Sequence, residues 1–477
     1  MSSPDPRRWW ALAVLAGAQF MVIMDTSIIG VALPEMQRDL GFSPGGLQWV
    51  FNAYVVALGG LLLLGGRLSD LLGARRVFAA GWVTLIAGSV VAAAAGGPGV
   101  EIAGRAIQGV GSALITPSSM TLLMALFGGR PKELPKAMAF YGTAAPAGGT
   151  AGVFLGGVIA EWLSWPWVFV IYVPIGLLSL AVVPALLPAV PGRRSGLDLA
   201  GAAAVTGGLA LAVYAIVQAP GKGWTSAATL LELGGAILLL AAFVAVQRAL
   251  RNPLMPLRIW RTPNLAGANL AMTLLGAAWI PMWYFLNLYL QQVLGYGAFS
   301  SGAALVPMTA LMMVLMVGVT GRLIARFGTK PLIATGLAVL AGGLAILSAV
   351  SPTGNFWADV LPGSLVSAVG MALVFIPAMM AAIGGVGPQD GGLASGIVNT
   401  TYQIGSAVGL AAMTALATSH GADRLGNLPA LTDGFQAAFV GAAIVALSGA
   451  ALALVTLRTP RQTPATEEDP ALAKTAA

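Results

Sequence analysis

The chain has 477 residues, 57% of them hydrophobic and only 9% charged, with a mean hydropathy of +0.86 and a net charge of +7. A soluble domain carries about 25% charged residues; here the apolar residues fall in blocks of about 20, so the composition excludes a soluble protein and points to an all-α polytopic membrane protein. Cysteine is absent and histidine occurs once, at His420, which excludes a disulfide framework, a thiolate nucleophile and an imidazole-based metal site.

Fourteen spans are predicted in chain order, at 10–33, 47–66, 77–95, 100–127, 137–160, 166–189, 198–218, 227–247, 265–290, 300–320, 331–350, 357–383, 392–418 and 435–457. Continuous apolar runs are not the alternating ~10-residue segments of a β-barrel. Arg7 and Arg8 lead straight into a full-length span, so no cleavable signal peptide is expected. An even count puts both termini on one side. Twenty basic residues fall on that side and three, Arg38, Lys222 and Arg424, on the other. The positive-inside rule makes the termini cytoplasmic, and the plasma membrane is the expected location. The basicity is therefore topological, and no nucleic-acid partner is expected. Arg105, inside the fourth span, is the one basic residue this count leaves unplaced.

The first span carries Asp25 in "QFMVIMDTSIIGVALP". With Leu33 near the outer end, Asp25 lies ~12 Å below it and Arg105 ~9 Å below the same surface, at 1.5 Å per residue. Two intramembrane charges thus share a depth. Burial disfavours the ionised carboxylate and a nearby Arg favours it, so the pair can bind and release a proton, with Gln108 one turn on as a hydrogen-bonding partner. A static ion pair that sets the register of two helices is the alternative.

After the second span, "GRLSDLLGAR" (66–75) matches "GRLIARFGTK" (321–330) at a constant offset of 255. The first loop combines Gly66, Arg67, Asp70, Gly73, Arg75 and Arg76; the second has Ala325 where the first has Asp70. The repeat implies two six-helix bundles at spans 1–6 and 9–14 with spans 7–8 inserted, the layout of rocking-bundle transporters. The expected divisions are 1–190, 191–262 for the inserted pair and linker, 263–458, and a disordered cytoplasmic tail at 459–477. In span 5, Gly148, Gly152 and Gly156 make a small-residue face on which another helix backbone can approach, with Gly157 beside it. Glu232 in span 8 is a second acidic candidate or an interfacial residue reaching water; Glu101 and Glu161 fall at outer helix ends, where solvation is expected.

These motifs together resemble the major facilitator superfamily, specifically its fourteen-helix drug:proton antiporter branch. "GGRLSDLLGARR" is similar to the signature between helices 2 and 3, "RAIQGVGSALITP" to the helix 4 motif, "MDTSIIGVALP" to the helix 1 motif of drug exporters, and "AAPAGGTAGVFLGGVIAEWLSWPWVFVIYVPIG" to the helix 5 antiporter motif with the entry to helix 6. Departures are Val153 for the usual Pro, Pro166 between Trp165 and Trp167 for the usual Arg, and Tyr172 for the usual Asn. The resemblance implies that the loop at 66–76 gates the bundles, beyond anchoring the cytoplasmic surface, and that span 9 lines the substrate cavity. Trp279, Trp283, Tyr284 and Asn287 are the candidates there, with Asn52 and Tyr54 from span 2 and Phe375, Asn399, Tyr402 and Gln403 from spans 12 and 13. Aromatic surfaces with few hydrogen-bonding groups suit lipophilic, often cationic molecules.

No nucleophile motif or phosphate-binding loop occurs, so neither an enzyme nor ATP as energy source is expected. The expected function is proton-coupled efflux of amphiphilic drugs or secondary metabolites, without cofactor or metal, by a monomer. An importer on the same fold and a non-transporting membrane sensor are the rivals.

Overall fold

The computed structural model describes residues 7–130, 133–192, 198–250, 253, 257–384 and 391–458; the tail at 459–477 and parts of the 191–262 linker lie outside the described residues. Each predicted span is a helix: α1 (Arg7–Leu40), α2 (Trp49–Leu72), α3 (Ala74–Ala93), α4 (Pro98–Phe127), α5 (Leu134–Trp162), α6 (Tyr172–Leu186), α7 (Leu199–Lys222) and α8 (Ala227–Ala249). They continue as α9 (Leu265–Leu288, extended by a π-helical turn at Tyr289–Val293) and α10 (Ala298–Val314, running through a π-helical turn into Thr320–Phe327). Then follow α11 (Thr329–Leu347), α12 (Leu361–Ile383, entered through a π-helical turn at Phe356–Val360), α13 (Gly391–Ser419) and α14 (Leu428–Thr456). Thirteen are long and apolar enough to cross a bilayer. α13 is as long as α14 but is more polar, because Asn399, Thr400, Thr401, Tyr402 and Gln403 sit in its first half.

Both copies of the repeated loop end a helix on a glycine with positive φ, Gly73 at 90° and Gly328 at 79°, a conformation only glycine adopts without strain. The similarity reaches into the packing. α3 and α4 interlock through Gly81 and Gly88 against Gly104 and Gly111: a Cβ on Gly111 would stand 2.6 Å from the Leu85 nitrogen, and one on Gly88 2.6 Å from that of Gln108. α11 and α12 repeat this with Gly336 and Gly343 against Gly363 and Gly370. Gly336 and Gly343 stand at the loop's own offset from Gly81 and Gly88. Without a hydrophobic driving force between helices in lipid, such backbone approach is what holds them together.

Each bundle is built around such pairs, with α1 on α5 and α2 on α4 in the first, and α9 on α13 and α14 in the second. Asn264, the one described non-glycine residue with positive φ, ties the start of α9 to the end of α14 by accepting from the Arg458 amide (2.6 Å) and donating to its carbonyl (2.9 Å). The bundles meet chiefly along α2–α13 and α5–α10, with α1 touching α9. α7 lies over the α2–α13 seam, and α8 packs on α7, leaving Leu231, Ile237 and Leu238 exposed for lipid. Asp198 joins the pair by accepting from the Gly201 amide and from Gln247.

A Val at Gly111 must push α3 from α4. Such overpacking costs ~1–3 kcal/mol, so Gly111→Val should lower the thermal midpoint of the detergent-purified protein. Gly342→Ala, whose Cβ meets nothing within 4 Å, should leave it unchanged.

Candidate functional site

α1 is 34 residues long, about 51 Å at 1.5 Å per residue, so Asp25 falls near its middle. Its carboxylate meets Arg105 of α4, with Nη1 donating to Oδ2 at 2.6 Å, and both side chains are within 1% of fully buried. The guanidinium also donates from Nε to the Val50 carbonyl at the start of α2 (2.8 Å) and from Nη1 to Gln108 Oε1 (2.7 Å). Gln108 in turn donates to Ser89 of α3 (2.8 Å). Arg105 stacks over the Tyr54 ring at 4.6 Å, with Phe169 at 5.8 Å. The Tyr54 hydroxyl is hydrogen-bonded to the Val22 carbonyl (3.1 Å) and to Ser112 (2.9 Å). Four helices therefore converge on one charge pair.

The pair is incompletely satisfied. Asp25 Oδ1 and Arg105 Nη2 have no well-formed hydrogen bond among the described residues, and the fully buried Tyr172 hydroxyl lies beside the Asp25 carboxylate as its nearest further partner. Buried groups are normally fully bonded; vacant valences here leave room for a proton or a change of partner. The departure at Tyr172 thus falls within the charge cluster.

The glycine face of α5 holds α1 at this level. A Cβ on Gly148, Gly152 or Gly156 would approach the carbonyls of Phe20 (2.4 Å), Met24 (2.8 Å) and Ile28 (2.7 Å), the turns around Asp25. Gly157 instead faces α10, 3.0 Å from the Ala298 carbonyl on the same measure. α1 and α5 both reach the second bundle on the side remote from the termini. Gln291 donates to the Val31 carbonyl (2.9 Å), Gln292 to Gln37 (3.1 Å), and the Phe299 amide to Glu161 (3.2 Å). A Cβ on Gly30 would collide with the Trp283 ring.

The predicted cavity residues divide into groups. Trp279, Trp283 and Asn287 are buried in α9, with Trp283 against α1. Tyr284 lines, with Gln37 of α1 and Phe285, Gln292, Thr414 and Phe435 of the second bundle, a crevice of about 20 Å³ between the two, room for a single water. Phe375 and Tyr402 pack edge to face at 5.6 Å and are half-buried, as are Asn399 and Gln403, the latter close to Gly59 of α2. Asn52 is buried and donates to Gln48, while Tyr54 belongs to the charge cluster.

In the loop at 66–76, a Cβ on Gly73 would stand 2.5 Å from the Val190 carbonyl, and Arg75 donates to the Leu187 carbonyl (3.3 Å), fastening the loop to the segment after α6. Gly66 and Arg67 are half-buried; Asp70 and Arg76 are exposed. Glu232 is remote from the cluster and pairs with Lys222 at 2.6 Å within the inserted hairpin; its carboxylate holds the Lys222 ammonium above its ordinary value.

One expectation is overturned. Glu101 is not solvated but fully buried. Although Gly99 and Val100 beside it are exposed, Glu101 lies on the face of α4 that carries Arg105 and is buried there.

The sequence profile described as the Major Facilitator Superfamily matches residues 15–410 and 319–476. The chain is 39% identical to the cephamycin export protein CmcT of Amycolatopsis lactamdurans over 95% of its own length and 93% of that protein's. It is 34% identical to a puromycin resistance protein of Streptomyces alboniger, covering 95% and 92%. Among solved structures, a peptide transporter superposes with a TM-score of 0.69 at 15% identity over 93% of each chain. The nucleoside transporter NupG does so with 0.65 at 14%, over 94% of this chain and 99% of that one.

Removing one member of a buried ion pair strands the other, at ~3–5 kcal/mol, whereas neutralising both costs far less. Arg105→Ala should therefore lower the thermal midpoint sharply, and the Asp25→Asn/Arg105→Gln double variant should recover most of the loss in a double-mutant cycle.

Proposed function

Because this chain belongs to the major facilitator superfamily, we propose that it exports an amphiphilic antibiotic or related secondary metabolite across the plasma membrane in exchange for protons. It is a multi-pass membrane transporter whose relatives are antibiotic export and resistance proteins. The observation that carries the proton-coupled reading is the buried Asp25–Arg105 pair with its vacant carboxylate oxygen.

Coupling requires that proton and drug favour opposite conformations, and α1 is the element able to link them. One side of it is bonded to α4 through Asp25, another is laid on the α5 glycines, and its far part is bonded to α9. Protonation of Asp25 removes the charge that holds Arg105. That releases α1 from α4 and loosens the Gly30–Trp283, Val31–Gln291 and Gln37–Gln292 contacts between the bundles. The basic-residue bias makes the termini cytoplasmic, so those contacts close the outward side, and their release opens it. Drug would be met by the half-buried Phe375–Tyr402 pair with Asn399 and Gln403, and by Trp279, Trp283 and Asn287 as they part from α1. The loop at 66–76 acts on the cytoplasmic side as the counterpart latch.

Asp25→Asn should abolish pH-gradient-driven drug uptake into everted membrane vesicles while expression and insertion persist; wild-type uptake by that variant would sink the coupling assignment. Tyr402→Ala should raise the drug concentration for half-maximal transport several-fold more than it lowers the maximal rate. An equal fall in rate alone would remove Tyr402 from the substrate site.

A further inference from the structure

Glu101 is a buried acid with no role in the mechanism above. It lies in the first turn of α4, one turn from Arg105 on the same helix face, since residues at i and i+4 are neighbours. Its side chain is fully buried, and neither carboxylate oxygen has a hydrogen-bond partner among the described residues. The charged groups that act on it are Arg105 of its own helix and Asp25 of α1. Tyr54 of α2 and Tyr172 of α6 face Asp25 and Arg105, and the buried face of α3 presents no titratable group among the described residues.

The cluster thus holds one cation and two acids. A buried ionised carboxylate with no partner is strongly unfavourable, so neutrality requires one acid to be ionised and the other protonated. Arg105 spends Nη1 on Asp25 and leaves Nη2 vacant. We infer that Glu101 is the alternative partner of Arg105 and the second proton-binding acid of the transporter, lying between the side remote from the termini and Asp25.

In the conformation described, Asp25 is the carboxylate and Glu101 the carboxylic acid. In the other state an O–H bond has broken at Glu101 and one has formed at Asp25, while the guanidinium has moved from Asp25 to Glu101. The cluster's net charge is the same in both. One proton is displaced toward Asp25 without any step in which an unpaired charge lies in the membrane, and Asp25 is freed from α4 in the same step. The inference rests on the antiport reading, which it deepens by naming the second acid that shares the proton with Asp25.

Infrared difference spectroscopy of the purified protein at neutral pH tests it directly. The wild type should show a protonated-carboxyl stretch that disappears in Glu101→Gln and also in Asp25→Asn, where Glu101 ionises to pair with Arg105. Glu101→Asp should keep the band. A band unchanged by Glu101→Gln would overturn the inference. In everted vesicles, Glu101→Gln should slow gradient-driven uptake about tenfold, a modest effect for removing a positioned proton carrier. If Asp25→Asn transports normally, the antiport reading itself fails. If Asp25→Asn is inactive while Glu101→Gln keeps the wild-type rate and pH profile, antiport stands and the role of Glu101 falls.

Discussion

A carboxylate and a guanidinium 2.6 Å apart in the middle of a membrane protein constrain everything packed around them. Neither charge tolerates hydrocarbon alone, so α1 and α4 must stay in register, and the start of α2 must offer the Val50 carbonyl to the guanidinium Nε. The glycines follow from the same need. Gly104 and Gly111 sink α4 into α3, and Gly148, Gly152 and Gly156 press α5 onto the turns of α1 around Asp25. Close packing excludes the water that would otherwise solvate the pair, and this makes its protonation state consequential for the helices that carry it.

The two bundles share a packing scheme but not a charge. The Gly81–Gly111 interlock of the first bundle reappears as Gly336–Gly370 in the second, yet the described helices of the second bundle bury no ion pair. Its buried polar residues are amides and hydroxyls such as Asn269, Asn287, Ser367 and Thr414. A division of labour follows, in which charge is handled on one side of the molecule and aromatic and amide groups on the other. α1 is bonded to both.

Much of this was legible in the residues alone. Fourteen spans, the twofold repeat and the pairing of Asp25 with Arg105 all follow from where polar residues interrupt apolar runs, because hydrocarbon penalises every such interruption. Ends were harder. Pro34 looks like a helix terminus, but α1 continues through it to Leu40, and Glu101, at the outer end of its own span, looks solvated yet is buried. Side-chain direction was not legible at all: in the dense aromatic run of α9, Trp283 faces α1 while Tyr284 faces α13 and α14. Hydropathy carries depth but no azimuth, so the sequence groups Tyr54 with the cavity although its ring lies under Arg105. Tyr172 could have been found, since an unusual tyrosine at a helix entry is itself a signal.

The polarity of α13 has a consequence for how the molecule is made. A segment that carries five consecutive polar residues in its first half partitions weakly into lipid by itself. Its stability there depends on surfaces already in place, notably α9, which Gly405 and Gly409 meet backbone to backbone, and α2, which Gln403 meets at Gly59. Those surfaces are synthesised first. The thirteenth helix is therefore recruited by the protein more than by the bilayer, and the second bundle is completed by assembly on an existing template.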